Sequence, residues 1–320
     1  MRILRTVFCV FFVLFTQYGF AQDGDTAGET DNLLRLKTDS FNYSKESILE
    51  LWIYQNGYGD GNLSDIYRLR FYQPLSINQW KGMMRIDTAY NSTWGPAAPG
   101  QSSGQFSAGN TMLTIWGMPP DFFPKWNLNL GGRIIFPFGN NGQWAVGPQV
   151  SASFVPQSTS KSLLSDFSPL VRYMYGFDSK NNSFVANPSQ PPLLRTLQLY
   201  PTIGLQLSPS TQIRLWDENG ILYNTAGGGW FVPLDAMVTH SINKHLLFAV
   251  GASKQVVQTF YAYDWSIYGK ISLRFWELTS IGLITKNHPK VVFDIKDEKS
   301  YAAALLPEPK NSTIFLAVSI

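Results

Sequence analysis

The sequence predicts an all-β fold, an antiparallel transmembrane β-barrel of the outer-membrane type with about twelve strands. Three observations carry this expectation. Apolar residues alternate with polar ones over runs of about 9–12 residues, enough to cross a bilayer at a tilt, whereas strands of soluble domains are nearer 5–6. The chain is 44% hydrophobic yet only 15% charged, well under the roughly 25% charge of an average soluble domain. An export leader precedes the alternating region.

The leader spans residues 1–21. Arg2 and Arg5 form its basic start and Val7 to Phe15 its apolar centre, which is too short to cross a bilayer. Gly19 and Ala21 set small residues ahead of an expected cleavage before Gln22. The single cysteine, Cys9, lies in the apolar centre, so a disulfide framework and a thiolate metal site are excluded from the exported chain. Processing takes Arg2 and Arg5 from the 25 basic residues and leaves them nearly balanced against 22 acidic ones. Such a balance gives no footprint for nucleic acid. Residues 22–47 are polar and unpatterned and read as a flexible N-terminal segment.

The barrel is expected over 48–276. In the run 66–73, Tyr67, Leu69 and Phe71 point one way and Ile66, Arg68, Arg70 and Tyr72 the other. Leu128, Leu130 and Ile134 oppose Asn127, Asn129 and Arg133, while Ile267, Ile271 and Leu273 oppose Tyr268, Lys270 and Arg274. Longer connections alternate with shorter ones along the chain, as extracellular loops and periplasmic turns do. Aromatic residues crowd the strand ends, where interfacial girdles are expected from Trp52, Tyr54, Tyr72, Trp80, Tyr90, Trp116, Trp126, Trp144, Tyr175, Trp216, Trp230 and Trp276. Residues 277–320 form a C-terminal extension, read as a further strand or a plug.

Energetics assign the faces. An arginine turned to lipid at the bilayer midplane costs about 2–4 kcal/mol. The face bearing Arg68, Arg70, Arg85, Arg133, Arg172, Arg214, Lys270 and Arg274 is therefore expected to line the lumen, with Glu50, Asp87 and Asp235 as its acids. Eight cations against about three acids predict a basic lumen that favours anions.

Several segments resemble one family of outer-membrane proteins, the β-barrels named for the MetA pathway of phenol degradation. They are the run from Tyr67 to Asn78, the strand opening Gly142-x-Trp144-x-x-Gly147-Pro148, Gln198 with Pro201, the run Trp230-Phe231-Val232-Pro233-Leu234, and the closing strand 267–275 with Leu273-Arg274-Phe275. The resemblance covers about 48–276 in the family's order, with a shorter loop before Trp144, a longer one at 156–169 and extra residues after the closing strand. It implies an outer-membrane transporter and carries no catalytic residues with it.

The chemistry-bearing residues point the same way. His240 and Ser241 are adjacent and face opposite sides of a strand, which does not suit a nucleophile and its base. No His-Glu-x-x-His spacing is present, and Gly57-Tyr58-Gly59-Asp60-Gly61 has no helix after it to hold a phosphate. No cofactor and no enzymatic activity are expected. The reading is an outer-membrane channel or transporter for small solutes, aromatic or hydrophobic ones included, with outer-membrane lipid around it. Its alternatives are an outer-membrane hydrolase of lipid or peptide, using Asp87, Asp235 or His240, and a structural or adhesion barrel.

Overall fold

A computed structural model describes residues 46–77, 79–94, 105–119, 126–139, 143–154, 163–179, 194–260, 262–275 and 281–282. Strand β1 (Ser47–Gly57) pairs with β2 (Leu63–Ile77) on one side and with β14 (Trp265–Phe275) on the other, so the sheet closes on itself. Between them run β3 (Trp80–Trp94), β4 (Gln105–Ala108), β5 (Thr111–Met118), β6 (Asn127–Phe136), β7 (Gln143–Ser153), β8 (Leu164–Ser179) and β9 (Arg195–Ser208). The circuit finishes with β10 (Thr211–Leu215), β11 (Ile221–Asn224), β12 (Trp230–Asn243) and β13 (Leu246–Gln258). Strands β4 and β5 lie end to end along β3, and β10 and β11 lie end to end between β9 and β12. Each pair makes one stave, which leaves twelve antiparallel staves and the predicted barrel. A two-residue strand, β15 (Ile281–Gly282), adds in parallel to Leu75 and Ser76.

Pairing of β1 with both β2 and β14 closes the sheet, which suits hydrocarbon because it offers no water to an exposed backbone group. Of the described strands only the short β4 and β15 are paired on one side alone. Only two residues separate β2 from β3, β9 from β10 and β12 from β13. Longer connections follow β3 and β8 at the opposite end, which by the usual barrel asymmetry is the extracellular one.

The two faces differ as the alternation requires. Leu51, Leu69, Leu130, Ile134, Val146, Val150, Val171, Leu234 and Val238 are exposed on the outer wall. Trp80 and Trp126 lie toward one rim of that wall, and Tyr90, Trp94, Tyr175 and Trp230 toward the other. Four residues expected in the girdles are elsewhere. Trp52, Tyr54, Tyr72 and Trp116 are buried inside the barrel, where they pack with Ile48, Met83, Met237 and Tyr268. Their parity decides this, because Trp52 and Tyr54 share a face with Glu50, and Tyr72 shares one with Arg70. Trp276, the leader 1–21, residues 22–45 and the extension beyond 282 lie outside the described residues.

Two strand boundaries also differ from the alternation. Strand β8 begins at Leu164, within the stretch read as a long connection, because Ser165, Asp166 and Ser168 are polar residues turned inward rather than loop residues. The alternation also predicts a single connection over 218–229, whereas β11 there resumes the stave that β10 leaves at Leu215.

The wall gives a direct test. Val171 is 41% exposed midway along β8, beside the buried Arg172. Val171→Arg is expected to destabilise the barrel by about 2–4 kcal/mol in lipid vesicles, and Val171→Leu to leave it unchanged. Denaturant titration of refolded protein measures both, and equal midpoints would place this face away from lipid.

Candidate functional lumen

Strand register sets the lumen chemistry. Residues directly opposite on one face of a sheet lie within side-chain reach, and Glu50 stands opposite Ser272 and Arg70, with Arg70 opposite Asp87. A second row runs from Tyr72 to Arg85, Thr114 and Arg133. Cations and carboxylates therefore alternate along the first row, while the second carries the cations Arg85 and Arg133 with no acid between them.

Asp87 is the hub of the first row. Its Oδ1 accepts from Arg70 Nε at 2.9 Å and its Oδ2 from Arg85 Nε at 2.6 Å. All three side chains are almost wholly buried. Glu50 is equally enclosed and accepts from Lys270 Nζ at 2.7 Å, Ser272 Oγ at 2.8 Å, Trp52 Nε1 at 2.8 Å and the Tyr72 hydroxyl at 3.1 Å. The Trp52 ring stacks on Tyr54 with centroids 5.6 Å apart and lies beneath both the Arg70 guanidinium, at 4.4 Å, and the Lys270 ammonium, at 4.8 Å. Such cation–π contacts strengthen when desolvated.

Toward the periplasmic side Arg214 donates to both oxygens of Asp166, at 3.1 and 3.2 Å, and to Asp217 Oδ1 at 3.0 Å. Gln212, Ser165 and Ser168 also donate to Asp166. Asp235 accepts from the Tyr268 hydroxyl at 2.7 Å and from Asn219 Nδ2 at 2.9 Å. Arg172 donates to Gln149 and Gln198, Arg133 donates to Thr114, and Arg274 pairs with Glu46. Arg68 lies 3.7 Å from Glu218.

The ten residues singled out in the sequence all sit on the inner face, and the register brings Arg68, Arg70, Arg85, Asp87 and Arg133 into one neighbourhood. The acid count is different. Asp166, Asp217 and Glu218 also face inward, so among the described residues six acids within the wall accompany the eight cations, with Glu46 on Arg274 at its periplasmic end. Asp166 shares parity with Ser168 and Glu218 with Arg214, a signal masked by the loop-like runs Ser165-Asp166-Phe167-Ser168-Pro169 and Trp216-Asp217-Glu218-Asn219-Gly220, whereas Asp217 has the opposite parity to Arg214 and gave none.

The second of those runs interrupts a stave and turns into the barrel. Trp216 adopts φ 49°, a left-handed conformation that a bulky residue rarely takes. Its backbone N–H donates to Asp235 O, its indole Nε1 to Pro233 O at 2.8 Å, and its carbonyl accepts from Thr202 at 2.7 Å. At the far end, a Cβ on Gly220 would approach Leu199 O to 2.6 Å, so the return requires glycine. The turn delivers Glu218 to the centre of the lumen. Arg70 Nη1 and Nη2 donate to its two oxygens at 2.9 and 2.7 Å, and the Tyr54 hydroxyl donates to Oε1 at 2.7 Å.

Beside this closure lies a cavity of about 280 Å³, walled by Arg68, Arg133, Gln198, Tyr200, Glu218 and Tyr263, among others. Asn56, near the end of β1, and Tyr263, in the β13–β14 connection, set it toward the extracellular end.

Among the described residues, those named for the hydrolase alternative, Asp87, Asp235 and His240, are not brought together. His240 bonds Thr211 through Nδ1 at 2.9 Å, while Ser241 is buried on the opposite face and donates to Asn243 O. Asp87 and Asp235 belong to separate networks. Among the described residues no three metal-ligating side chains cluster.

The barrel is similar to the crystal structure of an outer membrane channel from Pseudomonas putida F1, with a TM-score of 0.54 and 11% identity over 80% of this chain and 100% of that one. The shared feature is the fold. This chain is built as an outer-membrane β-barrel. Weaker likenesses, which carry no argument, are to the KdgM porin in complex with disordered oligogalacturonate (TM-score 0.38, 10% identity, 71% of this chain and 99% of that one) and to outer membrane phospholipase A from Escherichia coli (0.39, 11%, 77% and 97%). No family model matches the sequence. No curated protein matches it either.

Proposed function

We propose that this protein is an outer-membrane channel for small solutes, resting in a closed state and favouring anions. The observation that carries the reading is the extracellular-side cavity, which ends on a charged closure formed by Glu218, Arg70 and Tyr54. A cavity of about 280 Å³ lies just below the 300–1,000 Å³ of drug-sized pockets and suits a small molecule. Arg68, Arg70, Arg85 and Arg133 line it with Glu218 as its acid, which supports a preference for negative charge. Tyr54, Tyr200 and Tyr263 offer ring faces to an aromatic solute. The sequence resemblance to the phenol-degradation barrels supports the same solute class. The apolar outer wall supports a location in the outer membrane.

The test is solute uptake in proteoliposomes across phenolics, aromatic acids, fatty acids and sugars. Aromatic acids are expected to enter faster than sugars of similar size, and entry of none of them would leave a structural barrel. In planar bilayers under a salt gradient the reversal potential is expected on the anion side. The shift is expected to be modest, because the six inward acids offset most of the eight cations. A cation-side potential would overturn the charge assignment.

A further inference from the structure

The closure has the geometry of an occupied binding site. Arg70 presents two parallel N–H donors to the two oxygens of one carboxylate, the bidentate arrangement by which arginine recognises carboxylates with geometric specificity. Tyr54 adds a hydroxyl donor at 2.7 Å, and Arg68 adds positive charge at 3.7 Å. All three come from continuous strands, β1 and β2, whose own carboxylates lie elsewhere: Glu50 is bound to Lys270, and Asp87 of the adjoining β3 takes the Nε edge of Arg70. The carboxylate in the cradle comes instead from a segment that interrupts its stave and enters through the left-handed Trp216. It also faces the cavity from which a solute would arrive.

We propose that Arg70, Arg68 and Tyr54 form a carboxylate-binding site for the solute, which the chain's own Glu218 fills as an internal surrogate. The inference rests on the channel reading and adds a ligand class and a coupling to it. A small organic carboxylate entering the cavity competes with Glu218 for the same donors. Once displaced, Glu218 no longer anchors the 216–220 segment across the lumen, so binding and opening are linked. By reciprocity, whatever weakens the Glu218 contact strengthens carboxylate binding.

The experiment measures binding of benzoate, with neutral benzamide as control, to the purified full chain in detergent by equilibrium dialysis. A surrogate that fills the cradle nine-tenths of the time reduces apparent affinity about tenfold, so Glu218→Ala is expected to bind benzoate about tenfold more tightly than the native chain. Glu218→Gln, which keeps shape and loses charge, is expected to fall between them. Benzamide affinity is expected to stay constant throughout. Adding Arg68→Gln to Glu218→Ala is expected to remove part of the gain. Heat-modifiable migration verifies folding, and if the alanine variant fails to fold, the glutamine variant carries the comparison. Unchanged benzoate affinity, or an equal gain for benzamide, would overturn the cradle. Liposome flux separates the two readings. A benzoate-specific gain without flux in any variant sinks the channel and leaves the cradle, whereas flux without the gain does the reverse.

Discussion

Asp87→Ala is expected to destabilise the barrel by about 3–5 kcal/mol, the range seen when one partner of a buried ion pair is removed. Asp87 is fully buried, and each of its oxygens accepts from a different buried guanidinium, Arg70 at 2.9 Å and Arg85 at 2.6 Å. Removing the carboxylate leaves Arg70 with Glu218 alone and takes from the buried Arg85 the acid that the two guanidiniums share. Asp235 provides the comparison. It is just as buried, but its partners are the neutral Tyr268 and Asn219. Asp235→Ala therefore forfeits hydrogen bonds rather than charge balance, and a smaller loss of about 1–3 kcal/mol is expected. Urea titration of the refolded variants in detergent, followed by tryptophan fluorescence, ranks the two. If Asp87→Ala costs less than about 1 kcal/mol, the value of a solvated pair, then water fills the lumen and screens these contacts.

That network marks the boundary between what one sequence reveals and what it does not. Alternation in runs such as Leu128-Asn129-Leu130 is a local signal, and it located the staves and the inward arginines. Pairings are not local. Glu50 and Lys270 are 220 positions apart and meet only because β1 and β14 close the barrel in one particular register. The inward aromatics show a second limit. Trp52 and Tyr54 near a strand end satisfy the pattern of an interfacial girdle equally well, and only their shared parity with Glu50 turns them into the lumen. Asp166 and Glu218 were hidden for a third reason. Runs such as Ser165-Asp166-Phe167-Ser168-Pro169 have turn-like composition, and here polar lumen walls and loops use the same residues.

These hidden acids alter the functional logic as well as the charge count. Eight cations against three acids describe a strongly basic pore, whereas eight against six describe a braced interior with a local basic surplus. The surplus gathers around the extracellular-side cavity, where Arg68 and Arg133 line the wall. On the proposed reading charge does two jobs in different places, cross-bracing the wall below and presenting donors to a solute above.

The largest change in conductance is expected from replacing Asp217, Glu218 and Asn219 together with glycines. Twelve strands enclose more space than the small barrels whose interiors side chains fill, and less than a 16-stranded porin with its open channel. The interior is therefore narrow enough for one inserted segment to decide whether it conducts. Here that segment brings Glu218 to the Arg70 fork and Asn219 to Asp235. Arg214 keeps Asp166 in the variant and Arg70 keeps Asp87, so each of these guanidiniums retains an acidic partner and folding is expected to survive. Single-channel current should rise several-fold, by the scale expected from unblocking a pore rather than tuning one. The reversal potential should move further to the anion side, because two of the six inward carboxylates are gone. If current stays at the native level, the Trp52, Tyr268 and Arg214 layers close the barrel unaided, and the 216–220 segment is a brace rather than a gate.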